Sequence, residues 1–96
     1  MRLGKVASLL AIELRKQPGI VVTVPVHRRS TVEDCYRIEV HAALDESYDA
    51  SASYSLIYVF ARGATIYSLI VRGQAGLLVS FRPLAEQIAA RFRFRQ

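Results

Sequence analysis

Cys35 is the only cysteine in this chain, asparagine is missing, and lysine occurs twice against eleven arginines. A lone thiol closes no internal disulfide, which predicts a reducing, cytoplasmic setting. The arginine excess and missing asparagine fit a thermophile or a GC-rich genome equally well. Charges break every apolar run before the ~18–20 residues that a membrane-spanning helix needs, so no membrane partner is expected. Met1-Arg2-Leu3-Gly4-Lys5 carries the charge of a signal-peptide start, but Glu13 and Arg15 interrupt the apolar stretch behind it. With no small-residue cleavage site either, no signal peptide is predicted. Phosphate-binding glycine loops, zinc-ligand spacings and serine nucleophile elbows are also missing.

What is present is globular. The chain has 96 residues, 52% hydrophobic and 22% charged, enough for one domain (1–96) with a real core and little apolar area to spare. The net charge of +5 is unevenly placed. From Ala61 onward six arginines stand against Glu86 alone, while the first sixty residues hold seven basic and seven acidic side chains. Such polarity can steer a polyanion, or serve solubility and the electrostatics of helix ends.

Leu3, Val6, Ala7, Leu10 and Leu14 recur at helical spacing and predict a helix over 3–17, stopped by Pro18-Gly19. Ile20 to His27 alternates as a strand in which Pro25, lacking an N–H, favours an edge or a bulge. Ser30-Thr31-Val32-Glu33 fits a capping box and a single helical turn. Cys35 to Leu44 is the most regular strand, with Tyr36, Ile38, Val40, Ala42 and Leu44 toward the core and Cys35, Arg37, Glu39 and His41 outward. After an acidic loop (Asp45 to Ser51), residues 53–72 fold as a hairpin about Arg62-Gly63. Its bulky face carries Tyr54, Leu56, Tyr58 and Phe60; its flatter face carries Ser55, Ile57, Val59, Ile66, Ser68 and Ile70. Leu77, Leu78, Val79 and Phe81 read as a short fifth strand. A C-terminal helix starts near Ser80 or Arg82, with Leu84, Ala85, Ile88, Ala89 and Phe92 as its buried stripe. The fold predicted is α+β: an antiparallel four- to five-stranded meander bracketed by an N-terminal and a C-terminal helix.

Little of this points to catalysis. Cys35 and His41 share a strand face but lie roughly 20 Å apart at ~3.3 Å per residue. His27 could approach Cys35 across a loop, yet nothing in the sequence lowers the thiol pKa or builds a cleft. Asp45, Glu46 and Asp49 offer oxygen ligands without the glycine and terminal glutamate of a calcium loop. The tyrosines at strand spacing (Tyr36, Tyr54, Tyr58, Tyr67, with Tyr48 in the loop) belong to a core more often than to a ligand pocket. No cofactor, metal, catalytic residue or small-molecule ligand is therefore assigned.

Two partners remain. A hairpin apolar on both faces has one face too many for helices that cover a single side, which predicts a non-catalytic assembly subunit. It would dimerise or join a larger complex, including a nucleic-acid-processing one, through Ser55, Ile57, Val59, Ile66, Ser68 and Ile70. Helices on opposite faces would remove that need. The alternative is an RNA- or DNA-binding module using Arg28, Arg29, Arg91, Arg93 and Arg95, with Phe94 to stack a base. Arginines at a helix C-terminus also complement its dipole. The helix–meander–helix order is loosely similar to double-stranded-RNA-binding domains in element order alone. Four or five strands and a C-terminal helix without a leading lysine cluster depart from that pattern, so no family is assigned.

Overall fold

The structure is a computed structural model and describes residues 2–28, 33–42 and 53–93. Its elements are α1 (Leu3–Arg15), β1 (Ile20–Val22), β2 (Val26–Arg28), β3 (Cys35–Ala42), β4 (Ser53–Arg62), β5 (Thr65–Gln74), a 3-10 turn (Ala75–Leu77) and α2 (Leu78–Arg91). All strand pairs are antiparallel. The sheet runs β1-β3-β4-β5, with β2 also on β3, so the α-β-β-β-β-β-α order holds. The predicted turn at 30–33 and the acidic loop at 45–51 lie largely or wholly outside the described residues, as does Leu44.

The fifth strand does not come from 77–81, which is helical. It arises because Pro25 splits the first predicted strand. Val22 pairs with Val40 but Val26 with Arg37, four steps on one strand against three on the other. That extra residue is a β-bulge, which turns the following side chains to the other face. Thr23 bridges the break: its N–H donates to the Glu39 carbonyl, and its hydroxyl accepts from the Glu39 N–H at 2.9 Å.

The hairpin turns at Gly63-Ala64 rather than Arg62-Gly63, so Arg62 pairs with Thr65, Tyr58 with Leu69, and Ile57 with Ile70. Gly63 has φ +61° and Ala64 a negative φ, the type II′ arrangement that suits the twist of a two-residue hairpin. Against the predicted register each partner moves by two residues. A slip of two keeps every side chain on its predicted face.

The two helices cover opposite faces of the sheet, which corrects the expectation that one face stays bare. Ala7 and Ala11 of α1 are buried against Val22, Ile38, Ile57 and Val59, with Leu3, Leu10 and Leu14 flanking. Ala85 and Ala89 of α2 are buried against Cys35, Leu56, Tyr58 and Phe60, with Leu78, Phe81 and Phe92 flanking. Alanines at both contacts let each helix approach closely, α1 over the flatter face and α2 between the bulkier side chains. Arg15 Nε donates to the Val22 carbonyl at 3.3 Å and ties α1 to β1.

On α2 the contact stripe is also rotated from prediction. Leu78, Phe81, Ala85, Ala89 and Phe92 face the sheet, while Leu84 and Ile88 are exposed. Phe81 settles the phase. Its ring lies over Gly73, where an added Cβ would sit 2.8 Å from two ring carbons. Helix α2 begins at Leu78, with three residues between it and the end of β5, and keeps Pro83 inside.

Candidate functional site

Side chains predicted to point into solvent form the most polar part of the interior. Arg37 and Glu39 alternate onto the α2 face of β3, and α2 supplies Arg82 and Glu86 above them. The result is a row of alternating charge. Arg28 of β2 meets Glu86 at 3.1 Å; Arg37 also bonds Glu86 and lies 3.8 Å from Glu39; Arg82 meets Glu39 at 3.1 Å. Arg37 and Glu39 are largely covered, so each charge needs its neighbours. The row fixes how α2 sits along the sheet. A single strand could not reveal it, because the matching charges lie some fifty residues downstream.

Two tyrosines border this row. Tyr54 donates its hydroxyl proton to Glu39 at 2.7 Å. Burial, reinforced by the Glu39 carboxylate, raises its pKa above the ordinary phenol value. Tyr58 is fully buried, and its hydroxyl lies near Arg37 and Glu86 without a well-aligned hydrogen bond to either. Burial and the negative charge of Glu86 push its pKa up to about 12, with Arg37 opposing. A phenol held neutral in this way is neither a nucleophile nor a base near neutral pH.

The thiol–imidazole pairing considered from sequence is not formed. Cys35 is buried on the α2 face, whereas His27 stacks on Tyr36 on the α1 face, ring centroids 4.8 Å apart, and lies 3.7 Å from Asp34. His41 stacks on Tyr54 at 5.0 Å, near the far end of β3 from Cys35. Among the described residues, no group of three or more His, Cys, Asp or Glu side chains gathers as a metal site, and no helix is long and apolar enough to cross a membrane. The candidate ligands Asp45, Glu46 and Asp49 lie outside the described residues.

Three of the five candidate nucleic-acid arginines come to one end of the sheet. Phe92 stacks on Phe60 at 4.1 Å, Phe60 pairs with Cys35, and Cys35 pairs with Arg28. That chain brings Arg91 and Arg93 toward Arg28. Arg62, which the sequence alone did not single out, lies at the same end, two residues beyond Phe60 on its face. Arg28 is already ion-paired to Glu86, while Arg91 and Arg93 are exposed. Arg29, Arg95 and Phe94 lie outside the described residues.

The six predicted interface residues separate by strand. Ile57 and Val59 on β4 are buried beneath α1, and Ser55 is half-buried. Ile66, Ser68 and Ile70 on β5 remain open, with Ile66 and Ile70 44% and 46% exposed. Helix α1 packs over β1, β3 and β4 and stops short of β5. Beyond β5 no strand pairs among the described residues. The turn closes on the Arg62–Thr65 pair, so alternate residues from Thr65 aim their N–H and C=O groups at β4. Ile66, Ser68, Ile70 and Arg72 aim theirs outward.

The sheet's two edges differ. The β1/β2 edge is interrupted by a bulge and Pro25, the usual means of blocking strand pairing. The β5 edge runs unbroken over ten residues, with no proline and Arg72 as its one charge. No family model matches this chain, and neither a curated protein nor a solved structure matches it.

Proposed function

We propose that this chain is a non-catalytic assembly subunit that joins a partner by strand pairing along β5. The observation that carries the reading is the unblunted β5 edge, apolar on its α1 side, in a sheet whose other edge is blocked. Long edges with free backbone groups are templates for another strand. Leu84 and Ile88 of α2 extend the apolar surface. They lie on the flank opposite Glu86, and Glu86 reaches toward β3 and β2, so this flank overhangs β5. Covering the exposed halves of Ile66, Ile70, Leu84 and Ile88 contributes about 1 kcal/mol each. Association costs at least about 4 kcal/mol. Side chains on this subunit alone thus reach parity, and the partner's own apolar surface and the new backbone hydrogen bonds supply the surplus.

The test is the size of the native assembly in extract from the source cells, for the wild type and for Ile66→Lys/Ile70→Lys. Both side chains are about half exposed, so a lysine at either position can reach solvent without entering the core. The wild type is expected to run well above 10.8 kDa and the variant as a folded single chain. A wild-type chain that runs alone, or a variant that assembles equally well, overturns the reading.

A second reading keeps the arginines. Arg91 and Arg93 are exposed beside Arg28 and Arg62, a cluster suited to phosphates. Nucleic-acid binding of this kind weakens steeply with salt and is lost in Arg91→Ala/Arg93→Ala. Unchanged affinity for RNA and duplex DNA in that variant removes it.

A further inference from the structure

Resting on the β5 reading, we infer that the strand completing the sheet is β5 of a second copy, antiparallel and centred on Ser68. A two-fold interface is self-complementary: where residue i meets j, j must meet i. Around Ser68 the strand reads Thr65-Ile66-Tyr67-Ser68-Leu69-Ile70-Val71, nearly palindromic in size and polarity. Centred there, Ser68 faces its own copy, Ile66 faces Ile70 of the second copy, Tyr67 faces Leu69, and Thr65 faces Val71. Ile66 with Ile70 and Thr65 with Val71 join side chains of similar shape, and Tyr67 with Leu69 joins an aromatic to an aliphatic one, each pair on one face of the sheet. The backbone agrees, because Ile66, Ser68 and Ile70 are the residues whose N–H and C=O groups point outward. Arg72 falls opposite Ala64 and away from the other Arg72, so no like charges meet.

A two-fold axis perpendicular to the sheet keeps both α2 helices on the same side. Each α2 packs over β4 and β5. With strands ~4.8 Å apart, the two α2 axes then lie about 10 Å from each other. That is helix–helix contact distance, and the flanks turned toward each other carry Leu84 and Ile88. The blocked β1/β2 edges end the assembly at two copies with a continuous ten-stranded sheet, where two open edges would propagate a fibre.

Cysteine cross-linking of the purified full chain tests the partner and the register together. Antiparallel hydrogen-bonded neighbours have Cα atoms ~5.5 Å apart, within disulfide range. Ser68→Cys is expected to convert mostly to a disulfide dimer under mild oxidation. Ile66→Cys alone should stay reduced, because its copy lies four residues along, yet it should cross-link when mixed with Ile70→Cys. Native Cys35 is buried and stays out of the reaction. A Ser68→Cys chain that remains reduced while light scattering shows a single-chain mass at high micromolar concentration overturns the second copy. Cross-linking through Ile70→Cys alone overturns the register instead, because it would centre the pairing of the two copies away from Ser68. If the purified chain is single but the Lys variant still breaks the native assembly, the second copy falls and the β5 reading stands. If the Lys variant changes neither, both fall.

Discussion

Removing the Tyr58 hydroxyl isolates the interior beneath α2, because that hydroxyl is fully buried, poorly hydrogen-bonded and close to Glu86. Its pKa rises from 10.0 to about 12. Below pH 10 the phenol is protonated in the folded and unfolded chain alike, and its contribution to stability is complete. Between 10 and 12 only the unfolded chain releases the proton, so stability falls as pH rises and levels off above 12. One pKa unit corresponds to about 1.4 kcal/mol, which puts the total loss at about 2–3 kcal/mol. Tyr58→Phe removes this loss. At pH 7 the variant should match or exceed the wild type by up to about 1 kcal/mol, because a poorly satisfied buried hydroxyl disappears. Urea titrations of both proteins from pH 7 to 12 measure the difference. Tyr54, also raised, is present in both and cancels. Parallel pH profiles, or a variant more than about 1 kcal/mol less stable at pH 7, would refute the placement of this hydroxyl.

Glu86→Gln leaves Arg37 and Arg28 without their shared carboxylate. With the three side chains still 17–30% exposed, unfolding in urea should show a loss of about 2–3 kcal/mol, somewhat under the cost of breaking a fully buried pair. Glu13→Gln, whose partner Lys16 is as exposed as Glu13 itself, should change stability by under about 0.5 kcal/mol in the same titration. Gly73→Ala drives a methyl into the Phe81 ring and should cost about 1–3 kcal/mol by the same measure; no loss would mean that the ring is not held there. Gly63→Ala meets no atoms within 4 Å, so its cost of about 1 kcal/mol comes from the positive φ alone, and a thermal melt detects it.

The element order was legible because β3 and β4 alternate and α1 repeats at helical spacing. Alternation says which side chains share a face. It does not say which side of the sheet a helix crosses, and so the opposite placement of α1 and α2 could not be read from it. The apolar run Leu77-Leu78-Val79 fits a strand or a buried helix equally, and the ring of Phe81 over Gly73 decides for the helix. Pro25 signalled an edge or a bulge, but the one-residue insertion that turns Val26 and Arg28 toward α2 shows only in the register. Arg37 and Glu39 looked solvated because their partners Arg82 and Glu86 are distant in sequence. The open part of the hairpin was half legible: Ile66, Ser68 and Ile70 were identified together with Ile57 and Val59, which α1 covers.

Hydrogen exchange along β5, followed as the protein is diluted, tests the pairing edge most directly. Amides of Tyr67, Leu69 and Val71 bond to β4 and should stay protected at every concentration. Those of Ile66, Ser68, Ile70 and Arg72 should be slow in the assembled protein and approach free-chain rates on dilution to single chains. Outward amides that exchange freely while the assembly is intact would contradict the account.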